Sequence, residues 1–571
     1  MKQRHEAVNV IGIGCVTRRW AAAVAAAVAV AAGAGSAGAT TITVNTTNTG
    51  LPITCGTVLC CSIRQAIRAV NTKVVVNGCP AGNGNNDTIN LPSGTLTATS
   101  TLTISQPVII HGNGIGVTIL RGNLTSNGVF LDVQAVPEGF GFVTQFQNVT
   151  IDRTGGAASV TGIRAVQNNV QISGSRIAGF TSSGILATDT DLGLADTTIE
   201  NNSSTSSGGG IQFNNPNVAE PHGIFAKRLT VANNVAPQGG GMYFAATGIT
   251  NFFATTFANN IASNAGGAIY QTSNADYLFF FNSTIANNTA NGAGGGIFAG
   301  FGVKLFESIV GQNQTGVTSP DIDGSVNDCE NTLIGTTQGI IQLNDDGGNL
   351  LDVAPNLDTV LRDLGGTFHI KVLRPFPFSP VIDAFDSSFL IPAFNETRPL
   401  DARGVLRPQF GGASASSGDM GAVEATRLEA ESTNLGGGGP TAPYVVINNA
   451  QMSNGQGGNL QATSANNQFV TYSTVSSLPA GTYKVTIGFQ KASNAGRFQF
   501  QISANLAGTY SNVGVVQDGF ATSTSVTTVN LPNVTLSGAN VPTRFRFLVT
   551  GKNTSSSSFQ IYPDFIDFTK Q

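Results

Sequence analysis

Four side chains within nine residues, Glu220, His222, Lys227 and Arg228, bring a carboxylate, an imidazole and two cations into one short stretch. Such a set could work on a polysaccharide. The carboxylate or imidazole would serve as a general acid or base, and the cations would steady charge on a uronate. The stretch is also the longest insertion between the repeats described below, and a long turn can wall one side of a groove. The plainer account of the same residues is a solvated loop ahead of a strand, so we assign them no catalytic role. Asp189, Asp191 and Asp196 could be acids in a cleft, although aspartate is first of all a turn former. Asp321, Asp323 and Asp328 lack the full spacing of a calcium loop.

The elements that would position these groups come from a repeat. Five segments align: TTIENNSSTSSGGGI from Thr197, LTVANNVAPQGGGMY from Leu229, TTFANNIASNAGGAIY from Thr255, STIANNTANGAGGGIF from Ser283 and SIVGQN from Ser308. Fainter copies begin at Asn148 and Ser175. The middle positions Thr150, Arg176, Thr198, Thr230, Thr256, Thr284 and Ser308 are 26, 22, 32, 26, 28 and 24 residues apart. Each unit has an alternating strand, an Asn-Asn corner, a glycine step and a second strand ending in an aromatic. Alternation sends Ile199, Val231, Phe257 and Ile285 to one inward position. Asparagine suits the corner because it tolerates left-handed backbone and can hydrogen-bond to the next layer, and glycine suits the step because it has no Cβ. A unit this short cannot bury its own apolar face, so stacking in parallel is the stable solution. The expected fold is all-β: a right-handed parallel β-helix from about residue 90 to 345, of about ten coils and about 45 Å.

Composition agrees. Of 571 residues only 11% are charged and 70 are glycine, too little charge and too much glycine for a helical bundle or coiled coil. The glycines have no three-residue period, which excludes collagen. The 41% hydrophobic content argues against disorder. A basic start (Lys2, Arg4, Arg18, Arg19), an apolar run from Trp20 to Ala32 and Ala37-Gly38-Ala39 have the layout of a secretory signal cut after Ala39. The run is too short for a membrane span. The remaining chain carries 24 basic and 31 acidic residues, and with no Lys/Arg cluster it offers no electrostatic footprint for nucleic acid. The mature chain is expected to have no integral membrane span, to be a monomer, and to be secreted or held at a cell surface, with the periplasm an alternative.

Export makes disulfides reasonable, and Cys55, Cys60, Cys61 and Cys79 fall within 25 residues. Neighbours Cys60 and Cys61 are poorly placed to bridge each other, which leaves Cys55 to one and Cys79 to the other. Cys329 is then the odd thiol, expected to be free and buried.

Two motif sets carry a resemblance. Cys61-Ser62-Ile63-Arg64-Gln65-Ala66-Ile67, with Asp87-Thr88-Ile89 and Leu91-Pro92-Ser93-Gly94, resembles the CSLREA opening of secreted bacterial β-helix proteins. There the segment is similar to a helix that caps the first coil, and Ile63, Ala66, Ile67 and Val70 do form one apolar stripe at helical spacing. Ser379-Pro380-Val381-Ile382-Asp383, Asp401-Ala402-Arg403-Gly404, Arg407-Pro408 and Gly418-Asp419-Met420-Gly421-Ala422-Val423-Glu424 resemble the closing signature of the choice-of-anchor Q family. This likeness spans about residues 55 to 425 and implies fold and location rather than chemistry. Asp383, Asp401, Arg403, Asp419 and Glu424 could be active-site groups, but a charged lattice folding the closing segment over the last coil is the reading we take.

From 427 to 571 the repeat stops. Alternating runs at 469–475, 482–489, 497–503 and 544–550 indicate an antiparallel β-sandwich. Leu428-Glu429-Ala430-Glu431, Pro479-Ala480-Gly481-Thr482-Tyr483 and Asp564-Phe565-Ile566-Asp567-Phe568 resemble carbohydrate-binding modules of families 6 and 35. That resemblance implies a structural Ca²⁺ on Glu429, Glu431 and Asp564, and glycan contacts from Phe520 and Tyr562. Tyr444 and Tyr510 are further aromatic platforms.

The divisions are thus a signal at 1–39, a cap at 40–90 with the Ile63 helix, the β-helix with its closing segment at 91–425, and the sandwich at 427–571. The expected function is non-catalytic: a rod that displays a module binding a polysaccharide or cell-surface glycan. The alternative is a polysaccharide lyase or glycoside hydrolase whose module targets its substrate. The Asn-Thr-Asp, Gly-His-Gly and Arg-Ile-Lys signatures of polygalacturonases and the strand motifs of pectate lyases are absent, and sparse charge leaves few acids and bases to assemble.

Overall fold

The computed structural model describes residues 39–570, apart from 50–53, 56–57, 85, 135–143, 218–219, 317–319, 364–369, 376–378, 383, 387–399, 405–406, 408–416, 424–426, 431–441, 450, 453–455, 466, 474–480, 504–508 and 537–542. The signal reading, Asp383, Glu424 and Glu431 lie outside these residues, as do the side chains of Cys55 and Glu429.

The chain forms a parallel β-helix. One column of strands pairs in parallel through Thr41–Thr43, Asp87–Asn90, Val108–His111, Thr144–Gln147, Val170–Ser173, Leu192–Glu200, Ile224–Ala232, Thr250–Phe253, Leu278–Phe281, Ile297–Phe306, Ile322–Glu330 and Ile340–Gly347, with register shifts only in the last two pairings. Twelve levels at about 4.8 Å make a rod about 50 Å long. It begins earlier than the repeat suggests, because Thr41–Thr43 pairs with Asp87–Asn90 across the intervening cap. The inward positions Ile199, Val231, Phe257 and Ile285 are wholly buried and in register.

The two asparagines of each corner divide the work. Asn201, Asn233, Asn259 and Asn287 take φ of 56°, 55°, 57° and 59° and turn the chain. The next asparagine points inward and donates its amide one coil onward: Asn202 to Asn234 at 3.0 Å, Asn234 to Asn260 at 3.0 Å, Asn260 to Asn288 at 2.9 Å and Asn288 to Asn313 at 2.9 Å. The glycine step is needed for two reasons. Gly266 holds φ +67°, and a Cβ on Gly267 would meet the Gly295 carbonyl oxygen at 2.1 Å.

At the N-terminal end the helix Ile63–Thr72 buries Ile63, Ala66, Ile67 and Val70 against the rod, as the stripe predicts. Its start is a capping box: the Ser62 hydroxyl accepts from the Gln65 amide, and the Gln65 side chain accepts from the Ser62 N–H at 2.9 Å. Cys61 and Cys79 form a disulfide, Cys60 is also disulfide-bonded, and Cys329 is free and buried.

The closing segment takes a different course from the one expected. Instead of folding over the last coil, it lies along the flank of several coils. Leu357, Leu373, Val381 and Met420 pack on Ala258, Ala286, Ile309 and Leu333. Thr230 donates to the Lys371 carbonyl, and the Ala422 N–H donates to Thr284. The outer faces of the strands Thr256–Ala258 and Thr284–Ala286 carry threonine and alanine, small enough for a second layer to sit directly on them, and the next two coils offer Ile309 and Leu333 to the same layer.

The C-terminal region forms two antiparallel five-stranded sheets. One runs Arg427–Glu429, Tyr562–Lys570, Gly481–Lys491, Ser525–Asn530, with Val534–Leu536 beside the third, and the other runs Phe469–Ser473, Arg544–Lys552, Gly496–Ser503, Ser511–Asn512, with Gln517–Asp518 also paired to the third. Their facing sides bury Phe489, Phe498, Phe500, Phe545, Phe547 and Phe568 in one cluster.

Candidate functional site

The four residues of the insertion do not converge. His222 and Glu220 belong to the corner ahead of Ile224–Ala232, whereas Lys227 and Arg228 lie further along that strand. Arg228 is 3% exposed, takes left-handed backbone, and pairs with Asp196 one coil back at 2.5 Å. That pair straps adjacent coils together. His222 instead meets acids that the sequence had set apart: its Nδ1 lies 3.4 Å from Asp191 Oδ1. The Asp191 carboxylate holds the imidazole above its ordinary value, with smaller contributions from Asp189 and Glu220. Asp191 also accepts from the Gly223 N–H at 3.1 Å, and Asp189 from the Asn217 N–H at 3.3 Å. This corner can hold and release a proton.

Asp401 and Arg403 form an ion pair at 2.5 Å with both side chains almost wholly buried. Arg407 donates to the carbonyls of Asp419 and Gly421. These groups hold the closing segment's own backbone together, as a charged lattice should. Asp321 is buried too, accepting from the Asn313 side chain at 2.8 Å and from the Thr336 N–H at 2.9 Å. Asp328 is ion-paired with Lys304 at 2.5 Å.

Two aromatic ladders lie along the rod, and the aromatic that ends each repeat is the sequence signal for the first of them. Gln212, Tyr243, Tyr270, Phe298 and Asp323 stand in register on consecutive coils. The rings of Tyr243 and Tyr270 stack at 5.5 Å and 4°, and those of Tyr270 and Phe298 at 4.7 Å and 5°. Phe253, Phe281 and Phe306 form a second such ladder. Because the rings cover one another, a ladder offers solvent only edges. At the next corner Tyr277 and Phe301 meet differently, at 4.8 Å and 58°.

In the sandwich, Phe520 and Tyr562 come to one loop. Phe520 bridges to Ala492, and Tyr562 packs on Ala492 and Ala495 while its hydroxyl bonds to Asn494 at 3.0 Å and Gln560 at 2.7 Å. Asp518 adjoins them, accepting from the Phe520 N–H, Asn553 and Arg497. The other two aromatics sit elsewhere. The Tyr444 hydroxyl bonds to the Ala430 carbonyl and to the Tyr472 hydroxyl, and the Arg546 guanidinium lies 3.9 Å from the centre of the Tyr510 ring. Asp564 is wholly buried, and the strand pairing sets Glu429 opposite its neighbour Phe565. Among the described residues no group of three or more His, Cys, Asp or Glu could hold a metal ion, and no helix is long and apolar enough to cross a membrane.

The model of the Chlamydia polymorphic membrane protein repeat matches residues 196–214 and 254–272. Each match runs from a left-handed bend through an asparagine corner to the strand after the glycine step. No curated protein matches the chain. Among solved structures, xanthan lyase from Paenibacillus is similar at 25% identity over 28% of this chain and 14% of that one, with a TM-score of 0.23. The family 35 carbohydrate-binding module of Clostridium thermocellum is similar at 21% identity over 25% of this chain and 97% of that one, with a TM-score of 0.17. The enzymatically active domain of bacteriophage CBA120 tailspike protein 4 is similar at 10% identity over 86% of this chain and 65% of that one, with a TM-score of 0.28. This chain therefore spans about a seventh of the lyase and just under two thirds of the tailspike domain. The molecule is a parallel β-helix with short repeats similar to those of the Chlamydia polymorphic membrane proteins, followed by an antiparallel sandwich.

Proposed function

We propose that this chain is an exported or surface-held glycan-binding protein whose sandwich grips a polysaccharide and whose rod displays it. The observation that carries this reading is the shared position of Phe520 and Tyr562 on the 492–496 loop, with Asn494, Gln560 and Asp518 beside them. The half-buried Phe520 ring offers a face for pyranose C–H groups, with amides and a carboxylate near it for hydroxyls, while Tyr562 is buried and braces the loop from beneath. A Ca²⁺ ion on Glu429, Glu431 and Asp564 would brace the first and last strands, a reading supported by the burial of the Asp564 carboxylate, a hard oxygen ligand. A glycan array probed with the full chain and with Phe520→Ala tests the reading. Retention that Phe520→Ala weakens supports it, and equal retention by both chains removes the sandwich from the account.

The enzymatic alternative rests on the contact between His222 and Asp191. A uronate-release assay decides it: release of unsaturated oligosaccharides that disappears in Glu220→Gln/His222→Ala establishes catalysis at this corner.

A further inference from the structure

The corner between the strands Ile269–Gln271 and Leu278–Phe281 and its copy one coil on, at residues 299–303, differ from the rest of the rod's outer face. Here the rings are set at angles: Tyr277 to Phe301 at 58° and Tyr277 to Phe279 at 75°. They do not stack in parallel with one another as the Tyr243, Tyr270 and Phe298 ladder does, although Phe279 lies parallel to Phe281 at 6.5 Å. Phe301 is 40% exposed, although large apolar side chains in this rod are mostly buried.

The corner is also held rigid from beneath. Gln271, wholly buried, accepts from the N–H groups of Phe301 at 3.2 Å and Gly302 at 2.9 Å, and donates to the carbonyls of Asp276 at 2.8 Å and Gly302 at 3.0 Å. One side chain thus ties the two aromatic-bearing turns of successive coils to each other. Lys304 lies 4.9 Å from the centre of the Tyr277 ring and 5.4 Å from that of Phe279, and its ammonium is paired with Asp328.

We propose that this corner is a second saccharide site, built from Tyr277, Phe279, Phe301, Lys304 and Asp328, for an electrically neutral pyranose unit. It extends the glycan-binding reading from the sandwich to the rod. The exposed Phe301 ring receives sugar C–H groups, Asp328 accepts from hydroxyls, and Lys304, seated over Tyr277 and Phe279, donates to ring or hydroxyl oxygens. The charge of Lys304 is already balanced by Asp328, and Asp276 adds a carboxylate beside Tyr277, so a uronate would meet no uncompensated cation. Because Gln271 has already ordered the turns, binding need not pay to order them.

The test is calorimetric titration of the full chain, in the Phe520→Ala background, with neutral hexasaccharides of glucose, mannose, galactose and xylose, and with hexagalacturonate. At least one neutral hexasaccharide is expected to bind, with Tyr277→Ala/Phe301→Ala raising its Kd about tenfold or more, the loss of one good aromatic contact. Phe301→Tyr is expected to retain binding, and melting curves of all variants show whether the rod stays folded. Tighter binding of hexagalacturonate than of every neutral probe overturns the proposal. So does neutral binding indifferent to the double substitution, or its absence from the Phe520→Ala chain. That last result leaves the sandwich reading standing, whereas binding lost with Tyr277 and Phe301 but indifferent to Phe520 removes the sandwich and keeps the corner.

Discussion

Asn313 donates its side-chain amide to Asp321 at 2.8 Å, and there the asparagine ladder stops. Every earlier member passes an N–H onward, so an asparagine at the end would be left with two donors to satisfy. A carboxylate accepts without donating, and Asp321 takes the Asn313 side chain, the Asn313 N–H and the Thr336 N–H. Asp321→Asn would set an amide N–H₂ against one of these donors. It should cost about 1–3 kcal/mol in urea unfolding, and unchanged stability would count against the terminator role.

The pH dependence follows from buried acids. Burial pushes Asp321 up to about 6, and burial followed by the Glu330 charge pushes Glu307 up to about 8, from ordinary values of 3.8 and 4.5. The folded chain holds both protons more tightly than the unfolded one, so their contribution is complete below about pH 4 and is lost as pH rises through each folded value. His222, raised chiefly by the neighbouring Asp191 carboxylate, contributes in the same direction. The melting temperature should therefore fall between about pH 5 and pH 9, with Glu307→Gln flattening the upper part of the slope.

The paired corner asparagines should respond differently to substitution. Asn260 donates to the Val231 carbonyl and to Asn288, and accepts from the N–H and amide of Asn234. Asn260→Ala strands several buried groups and should cost about 2–4 kcal/mol, the sum of more than one orphaned partner. Asn259 serves by its φ of 57°, so Asn259→Gly should be nearly silent while Asn259→Val loses about 1–2 kcal/mol. Chemical denaturation of the three variants makes the comparison.

Thiol chemistry should separate the cysteines. Cys61 and Cys79 close an 18-residue span, and Cys79→Ser should lower stability by about 3 kcal/mol and expose the cap helix to hydrogen exchange first. Burial pushes the Cys329 thiol up to about 12, so it should resist alkylation until the rod unfolds.

The outer ladder offers a control for the glycan proposals. Tyr270 lies between Tyr243 and Phe298 with both ring faces covered. Tyr270→Ala should cost about 1–2 kcal/mol of stability and leave calorimetric glycan affinity unchanged, unlike Tyr277→Ala/Phe301→Ala.

Much of the architecture was legible because it is local and periodic. The Asn-Asn corners, glycine step and alternating strands each answer a backbone requirement that recurs at every coil, and the stripe of Ile63, Ala66, Ile67 and Val70 announces the cap helix by its spacing. Other features were not legible because their partners are far apart in the chain. Thr41–Thr43 is too short a run to reveal that it pairs with Asp87–Asn90. Nothing near Val381 or Met420 announces that they cover Ala286 and Ile309 on the rod's flank.

The candidate sites divide along the same line. By itself the sequence determined which residue types were available: few acids, few bases, and an aromatic at the end of each repeat. Only the tertiary structure decided their use, because stacking brings together residues about one coil apart. It tied Arg228 to Asp196, turned His222 toward Asp191, and stacked Tyr243, Tyr270 and Phe298 face to face. It left Tyr277 and Phe301 at an angle. Whether an aromatic spends its face on a neighbour or offers it to solvent depends on ring orientation at a corner, which composition and spacing do not encode.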